Sequence, residues 1–378
     1  MGKVVVLGTG LVGTAIAIDL AGKHETSAID INSDSFPRLV ENGVSVQQVD
    51  LSVPGKISGL VSEYDLVIGA LPGFMGFDAL QDVIKAGKNI VDISFMPEDY
   101  LVLHDLAKKH DVTAVVDCGV APGMGNFILG HHSRNMEVES FRCYVGGLPL
   151  VREWPYEYRA VFSPIDVIEE YTRPARYVEN GHLISREALS DLELMNFPAA
   201  GTLEAWNSDG LRSLLTTMDI PNMIEKTLRY PGTTEYIKVL RETGFFSYDE
   251  ISIEDKKIRP IDLTSRLLFP KWKLQEGESD LTVMNIVIRG KEKDAMVEYN
   301  YNLYDEYDLD TDTTSMARTT GYTCTAVADL ILGGELQMKG VLPPEYVGQQ
   351  AGIYQKVVDY LQDRGVYYNV QCNKPGNA

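Results

Sequence analysis

Cysteine is scarce in this 378-residue chain, and its four copies, Cys118, Cys143, Cys324 and Cys372, form no C-x-x-C pair. Neither a disulfide framework nor a zinc site follows from that spacing, and a reducing compartment, the cytoplasm, is the expected location. The six histidines show no H-E-x-x-H or similar ligand spacing, so no metal is expected, and His131-His132 reads as part of a helix surface. Basic residues are also in deficit: 34 Lys and Arg against 54 Asp and Glu leave a net charge of −20. Phosphates would be repelled, which argues against nucleic acid or an anionic membrane as partner. No uninterrupted apolar run reaches the roughly 18 residues that cross a bilayer. The N-terminal stretch from Met1 to Leu20 is apolar enough to imitate a signal peptide, but its spaced glycines and Asp19 suit a strand–turn–helix better. Met1-Gly2 opens like a myristoylation signal, yet Val6 stands where Ser or Thr is needed.

What is present is ordinary globular material, 44% hydrophobic and 23% charged, long enough for about two domains. Lys3–Leu7, Ser27–Ile31, Val44–Val49, Leu66–Ala70, Asn89–Ile93 and Val112–Asp117 are short apolar runs that read as buried strands. Helical patterns separate them, for example Phe77–Ala86 with Leu80, Val83 and Ile84 on one face, and Asp99–His110. Strands alternating with helices imply a doubly wound parallel α/β sheet over residues 1–125. Residues 126–317 change character, with longer strand-like runs at 141–147, 157–162, 281–290 and 295–304. The last two flank a Lys-Glu-Lys-Asp turn and read as an antiparallel hairpin, so this part is expected to be α+β. The acidic stretch 304–312 reads as a loop, and residues 318–378 as helices returning to the first domain.

Gly8-Thr9-Gly10-Leu11-Val12-Gly13 directly follows the first strand and opens a helix. In such a G-x-G-x-x-G turn, the first glycine permits the tight bend. The second admits a pyrophosphate close to the backbone, and the third lets helix and strand pack. Helix N-terminal amides then favour the phosphates. Asp30 ends the second strand, where a carboxylate would accept hydrogen bonds from a ribose diol and repel a 2′-phosphate. No Lys or Arg follows until Arg38, so NAD is the expected cofactor. Asp50 ends the third strand, near the adenine or as a local cap. Ala70-Leu71-Pro72 ends the fourth and leaves room for the nicotinamide half.

Asp92 and Asp117 fall at strand ends, where open α/β sheets bind ligands, and Ser94 and Glu98 follow Asp92 closely. Each carboxylate could serve as a general base, hold a substrate ammonium, or cap a loop. Further on, Arg212 and Arg229 sit beside turn-forming residues, and Arg is the side chain suited to a bidentate grip on a carboxylate. Glu169 and Glu170 are candidates for ammonium recognition.

The motifs GALPGFMGF (69–77), VDISFMPE (91–98), VAPGMGN (120–126), YVGGLP (144–149), SDGLRS (208–213) and TLRYPG (227–232) resemble the saccharopine dehydrogenase superfamily. The likeness looks closest to its lysine 6-dehydrogenase branch. It implies a Rossmann domain plus a substrate domain, homodimerisation, and NAD(P)-dependent oxidation of a C–N bond in an amino-acid substrate. Carried onto this chain, it makes Arg212 and Arg229 anchors for the substrate carboxylate. Saccharopine reductases carry Asp before the Pro-Gly that here follows Ala121, a departure that favours a different amine. The leading expectation is therefore oxidative deamination of lysine at its ε-carbon. A saccharopine dehydrogenase or related condensing reductase is the alternative, and a non-catalytic NAD-sensing protein the third reading.

Overall fold

The run Lys3–Leu7 (β1) is buried from Val4 to Leu7, as a strand covered on both faces must be. A computed structural model describes residues 1–275 and 277–374, and they form two compact units. The first unit comprises residues 1–135 and 316–367. Beside β1 it contains β2 (Glu25–Asp30), β3 (Ser45–Gln48), β4 (Leu66–Gly69), β5 (Asn89–Asp92) and β6 (Thr113–Val115). With the strand Gly340–Leu342 these make a parallel sheet in the order 340–342, β6, β5, β4, β1, β2, β3. The order reverses between β1 and β4, which is where doubly wound sheets bind ligands. Crossovers include α1 (Leu11–Ala21), α2 (Phe36–Glu41), α3 (Lys56–Leu60), α4 (Gly73–Lys85) and α5 (His104–Lys109). The α4 residues Leu80, Val83 and Ile84 bury completely against Val5, Val67 and Ile90, each worth about 1.5–3 kcal/mol of burial.

Several expectations need correction here. The boundary falls after Asn135, not after residue 125, because α6 (Met124–Ser133) belongs to the first unit. Asn126 of α6 donates to Glu345, and Gly130 lies so near the Glu345 backbone that a Cβ would stand 2.1 Å from its carbonyl oxygen. His132 is buried rather than on the surface, and burial lowers its pKa to about 4, while His131 stacks on Tyr354. The tail divides: the helix Ile353–Gln362 stays with the first unit, whereas Tyr368–Asn373 pairs with a strand of the second.

The second unit is built on a nine-stranded mixed sheet. Its strands are β7 (Glu137–Pro149), β8 (Ala175–Glu179), β9 (His182–Arg186), β10 (Glu193–Phe197), β11 (Gly201–Asn207) and β12 (Asn222–Arg229). A separate small hairpin, β13 (Ile251–Ile253) and β14 (Lys256–Ile258), precedes β15 (Asp280–Glu292) and β16 (Ala295–Glu306). The order runs β10, β11, β12, β7, β15, β16 and then Tyr368–Asn373, with β8 and β9 appended to β12. The β15–β16 hairpin turns on Lys293 and Asp294, both at positive φ, as a two-residue turn of matching twist requires. β16 continues to Glu306, so the acidic loop begins later than expected. The run 157–162 is not a strand. Tyr158 and Val161 are buried in the core, but Ala160 makes only a single bridge to Lys273, so burial alone accounts for its apolar pattern.

One substitution probes the first sheet directly. A Cβ at Gly69 would lie 1.8 Å from the Asp92 carboxylate, a clash within the sheet itself. Gly69→Ala is expected to cost about 2–3 kcal/mol in urea denaturation of the first unit. A change below about 0.5 kcal/mol would show that β4 and β5 are not in this register.

Candidate active site

The glycine turn is held by backbone contact. Gly8, at φ +99, lies so close to β4 that a Cβ would meet the Ala70 carbonyl at 2.4 Å, and one on Gly13 would meet the Gly8 carbonyl at 2.1 Å. A Cβ on Gly10, in contrast, would touch nothing within 4 Å. The space beside Gly10 is therefore open, at the N-cap of an 11-residue helix with no acidic side chain in its first turn. Amides and dipole there suit a pyrophosphate, so these residues fit a dinucleotide. Leu11 is exposed at the start of α1 and Val12 half-buried behind it. Ala70-Leu71-Pro72 completes the other side, with the Ala70 amide bonded to the Leu7 carbonyl at 2.9 Å.

Asp30 accepts two amides of its own chain. Its Oδ2 accepts the Thr9 amide at 2.6 Å and its Oδ1 the Asn32 amide at 2.8 Å. The carboxylate thus ties the glycine turn to the end of β2. Asp50 accepts both the amide and the hydroxyl of Ser52, which lower its pKa, so it forms a local turn.

Of the three carboxylates proposed for proton transfer, Asp92 and Asp117 both lie near Cys118, whose thiol burial and their charges push up, and the Cys118 amide donates to the Asp92 carbonyl at 3.0 Å. Asp92 is fully buried and accepts the Ser94 amide at 2.8 Å and the Ser94 hydroxyl at 3.3 Å, which makes it a turn-former against Gly69. Ser94 itself packs on Gly76 of α4. Glu98 is exposed. Asp117 differs from both: it is a non-glycine residue at φ +51, and its Oδ2 accepts the Tyr100 hydroxyl at 2.5 Å in a buried pair. Tyr100 gave no signal beyond following Asp99, whose side chain caps the turn Tyr100–Leu103.

In the second unit, β12 presents Glu225, Thr227 and Arg229 to one face, which α7 (Pro164–Thr172) covers. Arg229 is buried. It donates to Glu170 at 3.0 Å, to Tyr171 at 3.3 Å and to the Leu228 carbonyl at 2.9 Å, with its guanidinium over the Tyr158 ring. Burial raises the Glu170 carboxyl, and the Arg229 charge opposes that shift. Glu169, one helical step away, turns instead to Tyr248 and Arg173. Arg212 is buried at φ +53 in the loop 208–213, followed by Ser213, whose buried hydroxyl has no hydrogen-bond partner among the described residues. Arg176 reaches the same loop with a bidentate grip on Asp209, at 2.9 and 2.8 Å. Among the described residues, no group of three or more His, Cys, Asp or Glu side chains could hold a metal ion.

A parallel sheet with an open glycine cradle, joined to a mixed-sheet unit carrying arginines, defines a two-domain dinucleotide-dependent oxidoreductase. Residues 4–115 match the saccharopine dehydrogenase NADP binding domain, and residues 119–366 match the saccharopine dehydrogenase C-terminal domain. The chain belongs to the saccharopine dehydrogenase family, a class of NAD(P)-dependent oxidoreductases acting on nitrogen-containing substrates. It is 26% identical over 224 residues to an alpha-aminoadipic semialdehyde synthase of Arabidopsis thaliana, covering 54% of this chain but only 21% of that protein. It is 21% identical over 403 residues to a saccharopine dehydrogenase [NADP(+), L-glutamate-forming] of Pyricularia oryzae, covering 86% of this chain and 87% of the relative. The solved apo saccharopine dehydrogenase (L-Glu forming) of Saccharomyces cerevisiae shares the fold, with a TM-score of 0.78 at 18% identity over 99% of this chain and 100% of that one.

These findings overturn the expectation of NAD. The matched domain is an NADP-binding one, and the Pyricularia relative carries NADP(+) in its name. Locally, the Asp30 carboxylate that was expected to favour NAD accepts two amides of its own chain, one on each oxygen. The lysine 6-dehydrogenase branch does not follow from these relatives, although the family does. Asp30→Ala is accordingly expected to weaken NADPH and NADH binding in equal proportion, read by fluorescence titration. A loss confined to NADH would restore the ribose role. Gly10→Ala, with open space around it, is expected to leave the melting temperature unchanged and weaken NADPH binding at least about tenfold. Unchanged binding would move the pyrophosphate elsewhere.

Proposed function

We propose that this chain is an NADP-dependent dehydrogenase of secondary amines, or in reverse a condensing reductase that joins an amino-acid amine to a carbonyl compound. The balance is secondary amine plus NADP+ and water giving primary amine, carbonyl compound, NADPH and a proton. The observation that carries this reading is the match of both parts of the chain to saccharopine dehydrogenase domains, with Arg212 buried in the loop 208–213. A substrate built from two amino-acid skeletons carries several carboxylates, and Arg212 is the anchor for one of them. The other two arginines are paired with carboxylates of the chain, Arg229 with Glu170 and Arg176 with Asp209.

NADP supplies the hydride acceptor. The chain must bind, orient and deprotonate. Arg212 anchors a substrate carboxylate, assisted by the Ser213 hydroxyl. Arg229, whose donors are occupied by Glu170, Tyr171 and Leu228, fixes the wall of the pocket. Hydride departure requires a neutral amine, and the pair Asp117–Tyr100 is the proton relay retained from the three carboxylates.

The alternative, lysine ε-deamination, is favoured by Ala121 standing where saccharopine reductases carry Asp. Incubation with NADP+ and either saccharopine or lysine separates the two. NADPH formed with saccharopine, together with an equivalent of released amino acid, is expected. NADPH and ammonia from lysine alone would reject the proposal. Arg212→Leu is expected to raise the KM for saccharopine at least about tenfold, the scale of a lost charge-assisted hydrogen bond. An unchanged KM would remove Arg212 from the site.

A further inference from the structure

Glu225 has no task in the reaction as derived so far, yet it is buried on β12 beside the loop that carries Arg212. Its Oε2 accepts the Ser208 hydroxyl at 2.6 Å and the Gly210 amide at 3.1 Å, and the Thr227 hydroxyl donates to Ser208 at 2.8 Å. One carboxylate oxygen therefore gathers both ends of the turn Ser208-Asp209-Gly210. The fit is close, since a Cβ on Gly210 would stand 2.4 Å from the Glu225 carboxyl group. From the other side Asp209 is clipped by Arg176, through the Arg176 amide at 3.2 Å as well as the guanidinium. Two residues further on, Arg212 holds φ +53. A left-handed conformation is unfavourable for a non-glycine residue and persists only where its surroundings impose it.

We propose that Glu225 is a positioning residue for carboxylate recognition: it latches the loop 208–213 so that Arg212 is presented in its left-handed conformation. The inference rests on Arg212 being the carboxylate anchor of the proposed reaction, and it adds how that anchor is set.

The latch has an electrical consequence. Burial pushes the Glu225 carboxyl up to about 8; the Ser208 hydrogen bond opposes this, and the charges of Glu170 and Asp209 add to it. The groups facing it are Glu170 from α7, Asp209 from the loop, and the Cys143 thiol of β7, itself raised by burial and by Glu225. Arg229 lies further along its own strand and is occupied by Glu170. At neutral pH Glu225 is thus largely protonated, and its carbonyl oxygen holds the loop without repelling a substrate carboxylate. As pH rises through about 8 it ionises beside two other carboxylates, and binding of an anionic substrate weakens.

The test is the KM for saccharopine, at saturating NADP+, from about pH 6.5 to 9.5 in wild type, Glu225→Ala, Glu225→Gln, Ser208→Ala and Arg212→Leu. Glu225→Ala is expected to raise KM at least about tenfold with kcat within about threefold. Glu225→Gln, whose amide oxygen can keep both bonds, is expected to recover most of that loss. The wild-type KM should climb through about pH 8 relative to that of Glu225→Gln. Ser208→Ala, a smaller change that spares the carboxyl group, should raise KM about threefold and keeps the test decisive if Glu225→Ala does not fold. Unchanged KM in Glu225→Ala and Ser208→Ala, or an identical pH rise in wild type and Glu225→Gln, would overturn the latch. If Arg212→Leu also leaves KM unchanged, the anchor itself fails; if only Arg212→Leu raises it, the latch alone is rejected.

Discussion

Backbone meeting backbone at the reversal of the parallel sheet is the constraint on which the cofactor half depends. Gly8 abuts the Ala70 carbonyl and Gly13 the Gly8 carbonyl, at distances that admit no side chain. That closeness brings α1 against the sheet and leaves the one open position, Gly10, at the helix N-terminus. Asp30 then secures the turn by accepting the Thr9 amide. A carboxylate on β2 therefore serves the architecture of the phosphate cradle.

The second unit solves a different problem, the placement of charge in a buried, aromatic setting. Arg229 lies over the Tyr158 ring, close to Tyr171 and Trp206, and its charge is met by Glu170. An isolated guanidinium there would carry a desolvation penalty of several kcal/mol, which pairing and hydrogen bonding offset. The same economy holds around Asp209, whose buried carboxylate is met by the half-exposed Arg176. Acidic and basic groups thus meet in pairs within the second unit.

Much of the architecture was legible because its signals are local. The short Val-rich runs, the glycine turn, and the Lys293-Asp294 hairpin each follow from a few consecutive residues. The misses share another cause. A carboxylate at a strand end looks the same in sequence whatever it accepts, so the two amide bonds of Asp30 could not be foreseen. Glu169 and Glu170 differ by one step of about 100° around a helix, which decides which of them meets Arg229. Residues 157–162 have a strand's composition but no strand beside them to pair with. Glu225 gave no signal: four of the five residues Glu225-Lys226-Thr227-Leu228-Arg229 are polar and all five are buried, so no alternation marks the face it occupies.

Formation of a secondary amine between two partners is tested most directly in the reductive direction. NADPH oxidation would be followed with lysine, with a 2-oxo dicarboxylic acid, with both together, and with ammonia in place of the amine. Oxidation only when the amino acid and the oxo acid are both present, with a stable secondary amine recovered, is the expected result. Oxidation with ammonia and an amino-acid semialdehyde, and none with the amine and oxo acid together, would contradict it.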